Sequence, residues 1–338
     1  MIYNFIFLLI LNLSIIYYIK KLAKIANIFD IPDKQLKLHR KKTPIIGGII
    51  LIINFSIIFF YQILFLKNFL VFEINRFDNL ELFSLLFLIY SYFFLGLFDD
   101  KYNLNPIKKI LFSISIILVT LLLNKNLIIS NFSISFYESR IFLENSSIIF
   151  TIFCILILIN SLNFYDGING QSCLIFLIFF NYLFFKSDLN IFYLFCIFLI
   201  LIVMYLNLKN LLFLGDSGVY LLGIILSISL IYEYNFRKNI AYADEIFFLL
   251  LLPGFDLLRL TITRILNSKN PLLGDRKHIH HLLTKKYSLF FSNLILFFLS
   301  ILPVGLFIFS KFNFFLTFFS FLVIYIFLIQ FLNVNDRN

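Results

Sequence analysis

Three of the four histidines in this chain, His278, His280 and His281, stand together beside Asp275, Arg276 and Lys277. Imidazoles next to cations suit recognition of phosphate or pyrophosphate. A zinc site is the competing reading, but no cysteine or second histidine group offers the remaining ligands. Asp99 and Asp100 form a second cluster at the end of an apolar run. Two adjacent acids at a membrane mouth need a compensating cation or a proton-handling role, because acids at a helix C-terminus oppose its dipole. A water-wetted helix end is the plain alternative. In the third cluster Asn160, Asn163 and Asp166 recur at three-residue steps and Gly167 and Gly170 follow. That spacing makes one polar stripe on a helix that the glycines then break, an arrangement suited to a nucleotide or a hydrated cation, or to a polar contact between helices. Asp216, between Gly215 and Ser217, opens an apolar run. There it serves as an N-cap or as a magnesium ligand, since magnesium binds through one or two carboxylates and keeps water and phosphate oxygens as its other ligands. The first cluster, from Asp30 through His39 and Arg40 to Gly47-Gly48, reads as a basic loop whose paired glycines permit close helix packing or ligand approach.

The elements that must position these clusters are membrane helices. The 338 residues are 61% hydrophobic and 14% charged, with a mean hydropathy of +0.97, which excludes a soluble domain. The pattern predicts an all-α, polytopic bundle forming a single integral membrane domain over 1–338, with about eleven spans. These lie near 2–19, 45–65, 82–98, 107–123, 147–163, 172–185, 190–206, 217–232, 245–263, 290–310 and 314–332. The five clusters fall in alternate gaps and so share one face of the bilayer. Lys20, Lys21, Lys24, Lys101, Lys108, Lys109, Lys285 and Lys286 lie on that same side, which puts it in the cytoplasm with the N-terminus periplasmic and the C-terminus cytoplasmic. Topology alone accounts for the net charge of +10, which also favours anionic lipids and substrates; the lipid bilayer is an expected partner and nucleic acid is not. Cys154, Cys173 and Cys196 stand singly in apolar segments, as packing residues.

In this order and spacing the clusters resemble the polyprenyl-phosphate N-acetylhexosamine-1-phosphate transferase family, the MraY/WecA superfamily or glycosyltransferase family 4. The matching motifs are D-x-P with H-x4-P-x2-GG, the DD pair, N-x2-N-x2-DG-x-NG, F-x-GD-x-G and D-R-x-H-I-H-H, from about Asp30 to His281. The resemblance implies a magnesium-dependent enzyme, with manganese as a substitute ion. It would move a sugar 1-phosphate from a UDP-N-acetylhexosamine to undecaprenyl phosphate in the bacterial inner membrane, facing the cytoplasm, and so start a cell-envelope polysaccharide such as O-antigen or teichoic acid. A homodimer is among the assemblies it allows. It implies Asp216 as the metal ligand and catalytic roles for Asp99, Asp100, Asp166, His280 and His281. Substrate contacts fall to His39, Arg40, Asn163, Gly167, Ile168, Asn169, Arg276 and His278, with Phe213 stacking on uracil. The H-I-H-H form resembles the branch using UDP-N-acetylhexosamines; the muramyl-pentapeptide branch is the alternative. Asn169 stands where an acid is common, Gln35 and Lys37 where arginine is frequent, and Val219 where serine is common, so the sugar stays open. A secondary transporter, whose acids would lie near the bilayer midplane, and an envelope scaffold are rivals from other classes.

Overall fold

The computed structural model describes residues 2–31, 42–65, 78–187, 190–268, 270, 277–308 and 313–334. His39, Arg40, Asp275 and Arg276 therefore lie outside the described residues. Helices dominate: α1 Ile2–Tyr17, α2 Ile19–Ala26, α3 Gly47–Phe65, α4 Asn79–Tyr102, α5 Pro106–Leu123, α6 Ser147–Phe164, α7 Gln171–Lys186, α8 Asn190–Leu208, α9 Gly215–Tyr232, α10 Ala243–Leu249, α11 Leu251–Leu266, α12 Ile279–Lys286, α13 Leu289–Ile308 and α14 Phe314–Val334. Each of the eleven expected segments falls on one of these helices or on the α10–α11 pair. Among the described residues, seven helices are long and apolar enough to cross a membrane, or eight if α10 and α11, bent by 67°, count as one broken span. Helices α1, α3 and α7 are apolar but give shorter stretches. The protein is a multi-pass membrane protein.

Helix α9 is the central post. Of its apolar stretch 89% is buried within the protein, against 22% for α5 and α14, and α3, α4, α6 and α7 pack around it. Close approach is possible because glycines face it: a Cβ on Gly96 of α4 would lie 2.5 Å from Ser217 Cα, and one on Gly48 of α3 would lie 2.5 Å from Gly218 N. Further along α9, Gly223 meets Ile159 of α6. Between α1 and α3, Asn12 and Asn54 exchange side-chain amide bonds at 2.8 and 3.1 Å, which satisfies both carboxamides away from water.

Two small antiparallel pairings were not expected from the apolar pattern. Strands β1 (Phe29–Asp30) and β2 (Thr43–Pro44) frame the first loop, and β3 (Asn131–Ile134) pairs with β4 (Tyr137–Phe142). The β3–β4 hairpin closes one end of the bundle, where Ser133 N–H donates to Tyr234 and Ser135 N–H to the Asp244 carboxylate. At that end Glu233 is fully buried and accepts from Ser187, Tyr193 and Asn239. Glu245 there accepts from Tyr182 and pairs with Lys186.

The start of α6 and the finish of α9 share this hairpin end. Thr151 Oγ1 accepts from Ile129 N–H, and Asn235, just past α9, donates to the carbonyls of Asn126 and Ile128. The finish of α6 and the start of α9 must then emerge together at the other end. Counting from the Ile159–Gly223 contact, seven residues forward reach Asp166 and seven back reach Asp216. Helix α6 stops at Phe164, so Asp166 lies just beyond its end while Asp216 lies just inside the start of α9, and both belong to the end of the bundle away from the hairpin.

Candidate active site

The turn between α4 and α5 is written in asparagines. Asn103 takes a left-handed φ of 49° to end α4, and Asn105 caps α5 by accepting from Ile107 N–H, with Pro106 at the first helical position. This turn aims the two acids of the DD pair in different directions. Asp100 is committed to backbone: its two carboxylate oxygens accept from the N–H groups of Asp216 at 2.8 Å and Ser217 at 3.0 Å. It therefore satisfies orphan donors at the start of α9 and pins that start to α4. Gly215, at φ +75°, makes the sharp entrance to α9, and a Cβ there would meet the Asp100 carboxylate.

Asp99 faces the other way, 5% exposed, accepting from Leu104 N–H at 2.8 Å and pairing with Lys109. Lys109 also lies 3.5 Å from Asp216, whose side chain is 31% exposed. Two carboxylates from different helices thus converge on one ammonium, with one acid buried and the other partly exposed.

The loop after α6 is held from three sides. Gly170 N–H donates to Asn207 at 2.6 Å, Asn169 donates to Asn210 at 2.6 Å, and Asn293 of α13 donates to the Asn169 carbonyl at 2.9 Å. Gly170 starts α7 at φ +85°. On this loop Asp166 is half-buried, and burial pushes its carboxyl up to about 6, against a smaller lowering by Ser172. The buried Asn163 Oδ1 beside this loop has no hydrogen-bond partner among the described residues.

The histidine segment closes onto the same loop. A Cβ on Gly167 would overlap His280 Nε2, so only glycine lets the imidazole approach. His280 Nδ1 meets Gln171 Nε2 at 3.2 Å, and the rings of His278 and His280 stack with centroids 5.3 Å apart and planes within 7°. His281 meets His280 edge-on at 4.2 Å. Burial, reinforced by His281 and His278, holds the His280 imidazole well below the usual histidine range, so it is neutral at pH 7. His278 Nδ1 bonds Asp256 of α11 at 2.8 Å. Asp256, His278 and His280 bring ligand-type atoms within 4.8 Å of one another. The Asp256 oxygens, however, already accept from Arg259, Tyr325, His278 and Ile279 N–H, so the group is a hydrogen-bond hub and not an open metal site.

Phe213 lies where the first and fourth clusters join. Its N–H donates to the Pro44 carbonyl at 2.9 Å and its carbonyl accepts from Gly47 N–H at 3.0 Å, forming a parallel bridge beside Ile45.

The sequence pattern of glycosyl transferase family 4 matches residues 82–233. Over that stretch the chain is similar to this family. The matched stretch runs from α4 to Glu233 and contains Asp99, Asp100, Lys109, Asp166 and Asp216. The undecaprenyl-phosphate alpha-N-acetylglucosaminyl 1-phosphate transferase of Escherichia coli O157:H7 is 24% identical over 281 residues, covering 80% of this chain and 72% of that protein.

Of the expected site residues, the structure joins Asp99 with Asp216 through Lys109, gives Asp100 a capping position, and sets His280 against Gly167. Asp216 and Asp166 lie at the same end of the α6–α9 pair. Sequence reading missed Lys109, Gln171, Asn207, Asn210, Asn293 and the Asp256–Arg259–Tyr325 hub. Lys109 was counted only as a topology charge. Asp256 and Arg259 carried a signal, since an acid and a base three residues apart inside an apolar span are costly unless paired.

Raising the Asp166 pKa means the folded protein holds that proton more tightly than the unfolded chain. Stability is therefore lost as pH rises from the ordinary 3.8 to about 6. Asp166→Asn is expected to stabilise the protein at pH 7 by about 1 kcal/mol while lowering activity. Thermal unfolding at pH 4 and pH 7 checks this, and the gain should vanish at the lower pH.

Proposed function

We propose that this protein transfers an N-acetylhexosamine 1-phosphate from its UDP derivative to undecaprenyl phosphate at the cytoplasmic face of a bacterial inner membrane, releasing UMP. The convergence of Asp99 and Asp216 on Lys109 carries this reading. Two carboxylates meeting on one cation suit magnesium, and the partly exposed Asp216 is the member that water and phosphate oxygens would reach first. Manganese would accept the same ligands. Bound there, the ion would neutralise pyrophosphate oxygens and ease departure of UMP.

The remaining work falls to side chains. A lipid phosphate oxygen attacks the sugar-bearing phosphorus and the bond from that phosphorus to the UMP oxygen breaks. Lys109 supplies a fixed positive charge for the phosphates, and Asp100 keeps the start of α9, and so Asp216, in place. Asp166, raised to about 6, matches the second ionisation of a phosphate monoester at about 6, so a proton passes between them at little cost. Neutral His280 offers a hydrogen bond at the loop where uracil and pyrophosphate would lie.

The lipid tail has a place. An apolar cavity of about 400 Å³ opens between α6, α9, α10 and α11, lined by residues including Phe153, Leu158, Leu230, Phe247, Phe255 and Leu258. Its lining runs from Phe132 and Tyr234 at the hairpin end to Phe255 and Leu258, which bracket Asp256 in the sequence of α11. Gly254 lines it, and a Cβ there would meet nothing within 4 Å. Gly254→Leu should fill the groove and raise KM for the lipid acceptor about tenfold, with KM for the UDP-sugar unchanged. Initial-rate kinetics with each substrate varied in turn measure this.

The deciding test incubates purified protein with magnesium, undecaprenyl phosphate and a panel of UDP-sugars, and measures UMP and lipid-linked sugar. Magnesium-dependent formation of both with one UDP-N-acetylhexosamine is expected. No turnover with any sugar, alongside substrate-driven flux in proteoliposomes, would sink the proposal in favour of a transporter.

A further inference from the structure

The hub at Asp256 has no part in the reaction as written above, yet it is the most densely bonded buried carboxylate on the site side of the bundle. Asp256 is 1% exposed. Its Oδ1 accepts from Arg259 at 2.7 Å and from Tyr325 of α14 at 3.0 Å, and Arg259 in turn bonds Tyr325 at 2.9 Å and the Lys277 carbonyl at 2.6 Å. The other oxygen faces His278 Nδ1 at 2.8 Å, and Ile279 N–H reaches both oxygens at 3.2 Å. Three helices, α11, α12 and α14, are thereby tied to the histidine segment.

The hydrogen-bond partners differ in kind for the two stacked rings. A carboxylate only accepts, so His278 carries its proton on Nδ1 and keeps Nε2 as its remaining polar atom. The amide nitrogen of Gln171 donates, so His280 Nδ1 accepts and the proton of this neutral ring sits on Nε2, beside Gly167. We propose that Asp256 is a positioning residue that, opposite Gln171, fixes the stacked imidazoles in complementary tautomers: His278 offers Nε2 as a proton acceptor and His280 offers Nε2–H as a donor. Such a pair gives the anionic substrate one group that takes a proton and one that donates a hydrogen bond, without a change of ring orientation. Phe164, stacked on His278 with centroids 6.2 Å apart, helps hold the plane. The inference rests on the transferase reading for its consequence in turnover, but not for its geometry.

Two measurements separate it from that reading. In resting protein labelled with ¹⁵N-histidine, His278 should show an amine-type shift at Nδ1 and a pyridine-type shift at Nε2 at pH 8, and His280 the reverse. Both rings in one tautomer would overturn the proposal whatever the enzyme's substrate is. In the UMP-release assay, Asp256→Asn should reverse the His278 tautomer, because the amide nitrogen then donates to Nδ1. It should lower kcat about 100-fold or more with KM for the UDP-sugar within about twofold, and displace the pH–rate profile. Tyr325→Phe, which keeps the carboxylate, should retain the wild-type tautomer and profile with a kcat loss below about tenfold. A purely structural role predicts equal losses in both variants at an unchanged pH profile, and that outcome would refute the assignment.

Discussion

Asp216→Ala is expected to remove turnover by about a thousandfold or more while the protein stays folded in detergent. The acid stands at the opening of α9 with its side chain 31% exposed, so its removal leaves no buried hole, and the N–H groups at that helix start remain satisfied by Asp100. What disappears is one of the two carboxylates meeting on Lys109, and with it the charge that would hold a divalent ion against the pyrophosphate. Magnesium titration of the residual rate measures the loss directly: the half-saturating concentration should rise steeply in Asp216→Ala. Near-normal activity in this variant would remove its metal-binding role. Asp100→Asn should behave differently, because an amide presents only one acceptor oxygen to two N–H groups, and its damage should appear in thermal stability before it appears in magnesium affinity.

Gly96→Ala should be among the most damaging single methyl additions at the described glycines. The added carbon would lie 2.5 Å from Ser217 Cα and 2.6 Å from the Asp216 carbonyl oxygen, and both of those are backbone atoms with no rotamer to escape into. Helix α4 would have to move away from α9, at a cost of about 1–3 kcal/mol in overpacking. The same displacement would carry Asp99 and Asp100 away from Asp216. Activity should fall by more than tenfold even in the fraction that remains folded, and unfolding in a denaturant series with rate measurements on the same preparations separates the two effects. Gly305→Ala, where a Cβ meets nothing within 4 Å, is the matched control and should leave both quantities unchanged.

The membrane class, the positions of the apolar helices and the gathering of the acids at one end were legible from the apolar runs, because hydrocarbon thickness and backbone satisfaction leave helices as the only choice for such segments. The differing fates of Asp99 and Asp100 were not. Adjacent residues on a helix point about 100° apart, and only the partner helix decides which of them meets backbone and which meets Lys109. Lys109 was hidden by its company, since a lysine at the mouth of a span satisfies the charge rule for topology whether or not it has another use. The glycines were legible as breaks or close contacts, but that Gly48 and Gly96 both clasp Ser217, and that Gly167 receives His280, required the tertiary structure. The hairpin at Asn131–Phe142 escaped because its strands are short and mostly polar, too weak a pattern beside helices so apolar.

The 67° break between α10 and α11 has a bearing on which acceptors this protein can use. Residues of both α10 and α11 line the cavity on either side of this break, so under the proposed function a long isoprenoid would enter between them while its far end stays dissolved among neighbouring acyl chains. Under that function a recess of about 400 Å³ would hold only the first few isoprenoid units to enter it. Discrimination among polyprenols should accordingly be sharp for the saturation and geometry of those first units and nearly blind to total chain length, making short water-dispersible analogues serviceable acceptors.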